Sequence, residues 1–208
     1  RTIALAALLL PAPLAPASAH TPDGVGFVTA FRDVCLPERL SYEGMVALAG
    51  SLGWQPVVPG SNDELQAVFE LADDAIAREE GSDLKMARTA LERIVGGKLH
   101  HLLLSRISAP EITPVMSCSL YDLGATEQID PQLVADLVGA PEIRHFVNNG
   151  LDAHSWGDTP AMPGTFQTVL TFVAEDSPHT KLTGFSGLVL KIDSSEPDAA
   201  AAGPAAAE

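Results

Sequence analysis

His145, Asp152, His154 and Asp158 crowd one short polar stretch of the chain. Imidazole nitrogens and carboxylate oxygens are the donors a zinc ion takes. Neither an HExxH pattern nor a paired Cys/His spacing accompanies them, so the metal reading rests on residue types alone. A second metal chemistry hangs on His20. Arg1 precedes an apolar run from Ile3 to Leu10, and a Pro/Ala-rich stretch then ends in Ala17-Ser18-Ala19. This has the form of an export signal over residues 1–19, cleaved after Ala19. Cleavage would make His20 the first residue of the mature chain. Its amine and Nδ1 would then chelate copper, with a second imidazole from His100, His101, His145, His154 or His179.

The other reactive residue types point away from catalysis. Cys35 and Cys118 are the only cysteines. In an exported chain they imply one structural disulfide. They lack the C-x-x-C turn at a helix N-terminus that makes a redox pair. Chain-entropy arithmetic assigns closure of so long a loop at most about 4.5 kcal/mol. Gly184-Phe185-Ser186-Gly187 lacks the G-x-S-x-G spacing of a nucleophile elbow and reads as strand or bulge. Asp73-Asp74 has neither the alternating oxygen ligands nor the glycine turn of a calcium loop, and reads as a solvated helix face. The chain carries no P-loop and no dinucleotide fingerprint. No cofactor is therefore expected.

Charge narrows the partners. The formal net charge is −15, and Arg1 is the one charge in the leader. A surface this acidic offers no countercharge to nucleic acid or anionic lipid. The apolar run of the leader is too short to span a bilayer and is broken by Pro11 and Pro13. A mature chain of about 190 residues suits one domain with a sizeable core. The expected organisation is a signal peptide over 1–19, a single domain over 20–193 and a disordered Ala-rich tail over 194–208.

Periodicity supplies the elements that must position these groups. Phe27 to Leu36 reads as a short strand or a helical turn. Tyr42, Met45, Val46, Ala49 and Leu52 recur at helical spacing, with Gly53 as the stop and Trp54 as a clamp. Ser61 and Glu64 form a capping-box pattern before the stripe Leu65, Val68, Phe69, Ala72 and Ile76. Leu84 to Val95 is ambiguous, with helical spacing stopped by Gly96-Gly97. Lys98 to Ile107 and the segment around Cys118 read as a hairpin, with helical continuation through Leu102 to Leu104 as the runner-up. Alternation turns Met116, Cys118 and Leu120 inward. It also sends His100 and His101 to opposite faces, one solvated and one partly buried, so both cannot hold one metal. Asp130-Pro131 opens a short helix through Leu133 and Val138. Pro141 to Asn148 reads as a further helical turn ended by Asn149-Gly150, and Leu151 to Gly164 as a polar loop. Thr165 to Val173 and Leu182 to Ile192 read as a second hairpin.

Phe31, Cys35, Gly53-Trp54 and Cys118 together resemble the pattern of small exported, periplasmic proteins of proteobacteria, in which a cysteine pair flanks a helix ending in Gly-Trp. The resemblance implies export and carries no activity with it.

The expected fold is α+β: an antiparallel sheet of four to six strands, built from two hairpins, with helices packed on one face. The leading function is a non-enzymatic periplasmic or secreted binding protein, whose partner is a protein or a small ligand. The alternatives are a metal-dependent hydrolase using the histidines and acids around Leu151 to Gly164, and a copper-handling protein led by His20.

Overall fold

The computed structural model describes residues 19–79, 83–110 and 112–196. Apart from Ala19 and residues 194–196, the expected leader and tail lie outside those residues. Short polar side chains cap the first three helices. Asp23 caps α1 (Gly24–Cys35), accepting from the Gly26 N–H at 3.0 Å. Phe27, Phe31, Val34 and Cys35 line its buried side, so the segment read as strand or turn is a three-turn helix. Ser41 caps α2 (Tyr42–Ser51), and Gly53 at φ 85° releases the chain so that Trp54 tucks in, as expected. After β1 (Gln55–Pro56) comes α3 (Asp63–Arg78). Its cap is Asn62 rather than Ser61, with Asn62 Oδ1 accepting from Leu65 N–H at 2.8 Å. Glu64, thereby released from the expected capping box, accepts instead from both Ser186 N–H and Ser186 Oγ–H, each at 2.7 Å.

Four further segments depart from the sequence reading. The ambiguous stretch is β2 (Lys85–Val95), a strand in full register with β3 (Lys98–Ala109). The expected helical turn is β5 (Arg144–Asn148), and the expected polar loop begins as β6 (Leu151–Trp156). The expected strand over Leu182 to Ile192 is split. Its front is a single helical turn, α5 (Thr180–Thr183), and β8 runs from Gly187 to Ser195, past the expected domain end at 193. The remaining elements, β4 (Ile112–Asp122), α4 (Gln132–Val138) and β7 (Thr165–Val173), fall where periodicity placed them.

All strands among the described residues join one antiparallel sheet, in the order β1-β2-β3-β4-β8-β7-β6-β5. It has eight strands rather than four to six. The Cys118 strand meets β8, Leu120 opposite Leu190, and this fuses the front and back meanders into one layer.

Helices cover both faces, not one. Adjacent strand residues point to opposite sides. Thr89 of β2 bonds the Tyr42 hydroxyl of α2 at 2.8 Å, whereas its neighbour Arg88 grips Asp73 of α3 through two bonds of 2.8 and 2.9 Å. So α2 and α3 lie on opposite faces. The larger core joins Phe31, Met45 and Val134 of α1, α2 and α4 to Leu104, Leu120 and Leu190 of the sheet. A smaller one on the second face holds Tyr121, Val173, Phe185 and Val189 against Val68 of α3. The Cys35–Cys118 disulfide is present and ties α1 to β4, with the two Cα atoms 5.6 Å apart. Among the described residues, no helix is long and apolar enough to cross a membrane.

Candidate functional site: a histidine pair on a tight hairpin

The site begins with a turn. Asn149 and Gly150 both adopt positive φ, 44° and 79°. Positive φ at both central residues is the demand of a two-residue type I′ hairpin loop, and Asn-Gly meets it best. The loop pairs Asn148 with Leu151 and so sets the register of everything behind it. His145 comes opposite His154, and their rings stack with centroids 4.0 Å apart and planes 14° from parallel. Asp152, two residues before His154, shares its face of β6.

Asp152 clamps the pair. Its Oδ1 lies 2.8 Å from His145 Nε2 and 3.1 Å from His154 Nε2. An ionised carboxylate only accepts, so His145 donates from Nε2 and its Nδ1 keeps a lone pair when the ring is neutral. His154 donates from Nδ1 to Glu142 Oε1 at 3.1 Å. A divalent cation that displaced this proton would find the nitrogen and the oxygen already facing each other. Glu142, His145 and His154 each bring a ligand atom within 4.8 Å of the other two. Outer carboxylates that accept from the far nitrogen of a ligating imidazole fix its tautomer and raise its basicity. Asp152 stands in that position toward His145.

Burial grades the group. His154 is enclosed, with Trp156 stacked beyond it at 6.3 Å between ring centres, while His145 and Glu142 are open to solvent. A cleft of about 640 Å³ opens beside the group, with Glu142 on its wall and Trp156 at its inner end.

The sequence candidates are thus partly assembled. His145, Asp152 and His154 come together. Asp158 does not join them: it lies past the end of β6, exposed, and outside the potential ligand group. Glu142 is the member that sequence reasoning missed. Reading Asn149-Gly150 as a hairpin turn instead of a helix end would have extended a strand back toward it.

His20 belongs to a different cluster. It bridges to Ala125, donates its backbone N–H to the Gly124 carbonyl at 2.7 Å, and sets Nε2 3.0 Å from Asp122 Oδ2. His100 Nε2 lies 3.6 Å from the same oxygen, while His100 Nδ1 faces the Lys98 carbonyl at 3.1 Å. Burial lowers the His100 pKa, against the opposing pull of the Asp122 charge. His100 and His101 do take opposite faces, but both are buried, because α1 covers one side and the α3 face the other. The expected solvated histidine is therefore absent from this pair. His101 has Glu92 Oε2 at 3.8 Å, and burial pushes its pKa down to about 4. Desolvation raises the Glu92 carboxyl in turn. Ser186 is a partner of Glu64 in the turn ahead of β8 rather than part of a strand, and it is not set up as a nucleophile.

Comparison with known proteins returned no match to a protein-family model, a curated protein or a solved structure.

Proposed function

We propose that this is an exported binding protein whose ligand is a divalent transition metal ion, zinc foremost. His145, His154 and Glu142 would be the ligands, and Asp152 the carboxylate that orients His145. One observation carries the reading: two stacked imidazoles and the Glu142 carboxylate each bring a ligand atom within 4.8 Å of the other two. Two nitrogens and one oxygen suit zinc, with a fourth position left to water or a small ligand. The proposal departs from the sequence expectation of no cofactor. It keeps the expected class, a binding protein, and moves the ligand from an unnamed small molecule to a metal.

Export to the periplasm or medium remains part of the proposal. The leader pattern of residues 1–19 supports it, and so does the disulfide, which persists in oxidising compartments. A metal-dependent hydrolase is the second reading, favoured by the cleft that shares Glu142 with the metal group. His20 as a copper ligand gains no comparable support, since its backbone nitrogen donates to the Gly124 carbonyl and it joins no potential ligand group among the described residues.

Calorimetric titration of the purified protein with zinc tests the reading. The wild type should take up one equivalent. His154→Ala should lose at least about 100-fold in affinity, in line with loss of one of three protein ligands. Asp158→Ala should bind like the wild type. Unchanged affinity in His154→Ala would defeat the proposal.

A further inference from the structure

The turn that sets the register of the histidine pair also holds a reactive dipeptide. Asn149 is followed by Gly150, and both are exposed. Glycine has no side chain to shield its own backbone nitrogen, which leaves that nitrogen free to attack a preceding side-chain amide. The folded turn opposes the attack. In type I′ geometry the Asn149 Cβ and the Gly150 nitrogen lie anti across the Asn149 Cα–C bond, so that bond must rotate before they meet. Rotation would pull the Asn149 carbonyl off Ser177, whose Oγ–H donates to it at 2.7 Å, and the Gly150 carbonyl off the Ala174 N–H, also at 2.7 Å. Ser177 is buried and braces the tip from β7's side. No brace stands on the other side, because β5 is a sheet edge with every residue exposed. The tip can therefore open locally without opening either core.

We infer that Asn149 is a site of spontaneous deamidation, held in check by Ser177, and that its isoaspartate product takes the histidine pair apart. The Gly150 nitrogen gives its proton to solvent and attacks Asn149 Cγ. A C–N bond forms there, the bond to the side-chain nitrogen breaks, and ammonia leaves with a proton returned by solvent. Water then opens the cyclic imide. Breaking its bond to Cγ leaves aspartate on an unchanged backbone, and Asp-Gly serves a type I′ turn as well. Breaking its bond to the main-chain carbonyl carbon leaves isoaspartate, with an extra methylene in the chain between Asn148 and Leu151. The two-residue loop is then lost, and with it the register that sets His145 opposite His154. The covalent step is independent of any metal. Its regulatory meaning rests on the metal reading: an ion bound by Glu142, His145 and His154 ties the two strands together and keeps the turn shut, so the emptied site is the one that decays.

The test incubates zinc-free protein in mildly alkaline buffer and follows the peptide spanning Asn149 by mass spectrometry that separates aspartate from isoaspartate. Asn149 should convert ahead of Asn62 and Asn148, the other two asparagines of the chain. Ser177→Ala should raise the rate about 2- to 10-fold, the worth of one hydrogen bond to the closed turn. Asn149→Gly removes the amide but keeps a Gly-Gly turn, and should leave the histidine ¹H–¹³C signals in place throughout. In the wild type those of His145 and His154 should move as isoaspartate accumulates. Free zinc at ten times its dissociation constant should slow conversion about tenfold. Asn149 left intact in folded protein, while urea-unfolded protein converts, overturns the site. An unchanged rate in Ser177→Ala overturns the brace, and isoaspartate with unmoved histidine signals overturns the consequence. Conversion in a protein that takes up no zinc supports the site and counts against the metal reading alone. Zinc uptake without slowing overturns the protection.

Discussion

Asp152 is the residue on which the site's chemistry turns, because it fixes the tautomer of His145 and lies 3.1 Å from Nε2 of His154. Asp152→Asn keeps the shape but weakens the acceptor and offers an amide donor in its place. Zinc affinity should fall about 10- to 100-fold, the usual cost of losing an outer carboxylate. Competition with a chromophoric chelator would measure it. A second single-residue effect lies at His101, which is buried away from the metal group. Its folded pKa, about 4, is below the ordinary value of 6.5. The unfolded chain therefore takes up a proton first as the pH falls. The stability that neutral His101 supports is complete above pH 6.5 and is lost progressively down to about pH 4. Asp122 and His100 act on it through their charge, and Glu92 Oε2 lies 3.8 Å from its ring. Urea midpoints for wild type and His101→Gln should converge over that window, with a relative loss of up to about 3 kcal/mol for the wild type. Parallel curves would show that His101 does not titrate in this way.

At the scale of elements, the Asn149-Gly150 turn decides whether the histidines meet. Gly150 sits at φ 79°, and an added Cβ would approach Ala174 and Ser177 at 3.1 Å. Gly150→Ala should cost about 1–2 kcal/mol of backbone strain. It should also weaken zinc binding through the shifted register, whereas a strained turn without a metal role would lower the melting temperature alone. Part of this hairpin was readable in advance. Asn-Gly flanked by alternating apolar residues is a strong hairpin signal, but Phe146 and Val147 stand side by side and do not alternate with polar neighbours, and a helical turn fitted as well. Both are exposed, since β5 is the sheet edge. The same blurring hid β2. Leu91 faces one helix-covered side and Arg88 the other, so its apolar residues do not fall on one face. By contrast α2 announced itself, because a single stripe and a glycine stop obey one rule each. β4 was legible on its inner face, Met116, Cys118 and Leu120, although its other face is buried as well. Glu142 was not legible, because only the register of the hairpin brings it to His154.

Across the whole molecule, the disulfide and the β4–β8 pairing hold the front and back of the chain together. Cys35 and Cys118 are both buried, and a long loop is closed between them. Replacing both by serine should lower unfolding stability by about 2–5 kcal/mol. Denaturant unfolding of oxidised wild type against the double variant would check this, and little change would assign the tie to packing instead. The metal group lies on the far meander, at the opposite edge of the sheet from β1. A centre on an edge hairpin can be loaded or emptied without opening either core, which suits a binding protein better than a structural zinc domain. X-ray absorption at the zinc edge, on protein loaded with one equivalent and desalted, tests this centre most directly. The account predicts zinc held by two imidazole nitrogens and a carboxylate oxygen at about 2.0–2.2 Å. Zinc lost on desalting, or retained without imidazole scattering, would contradict it.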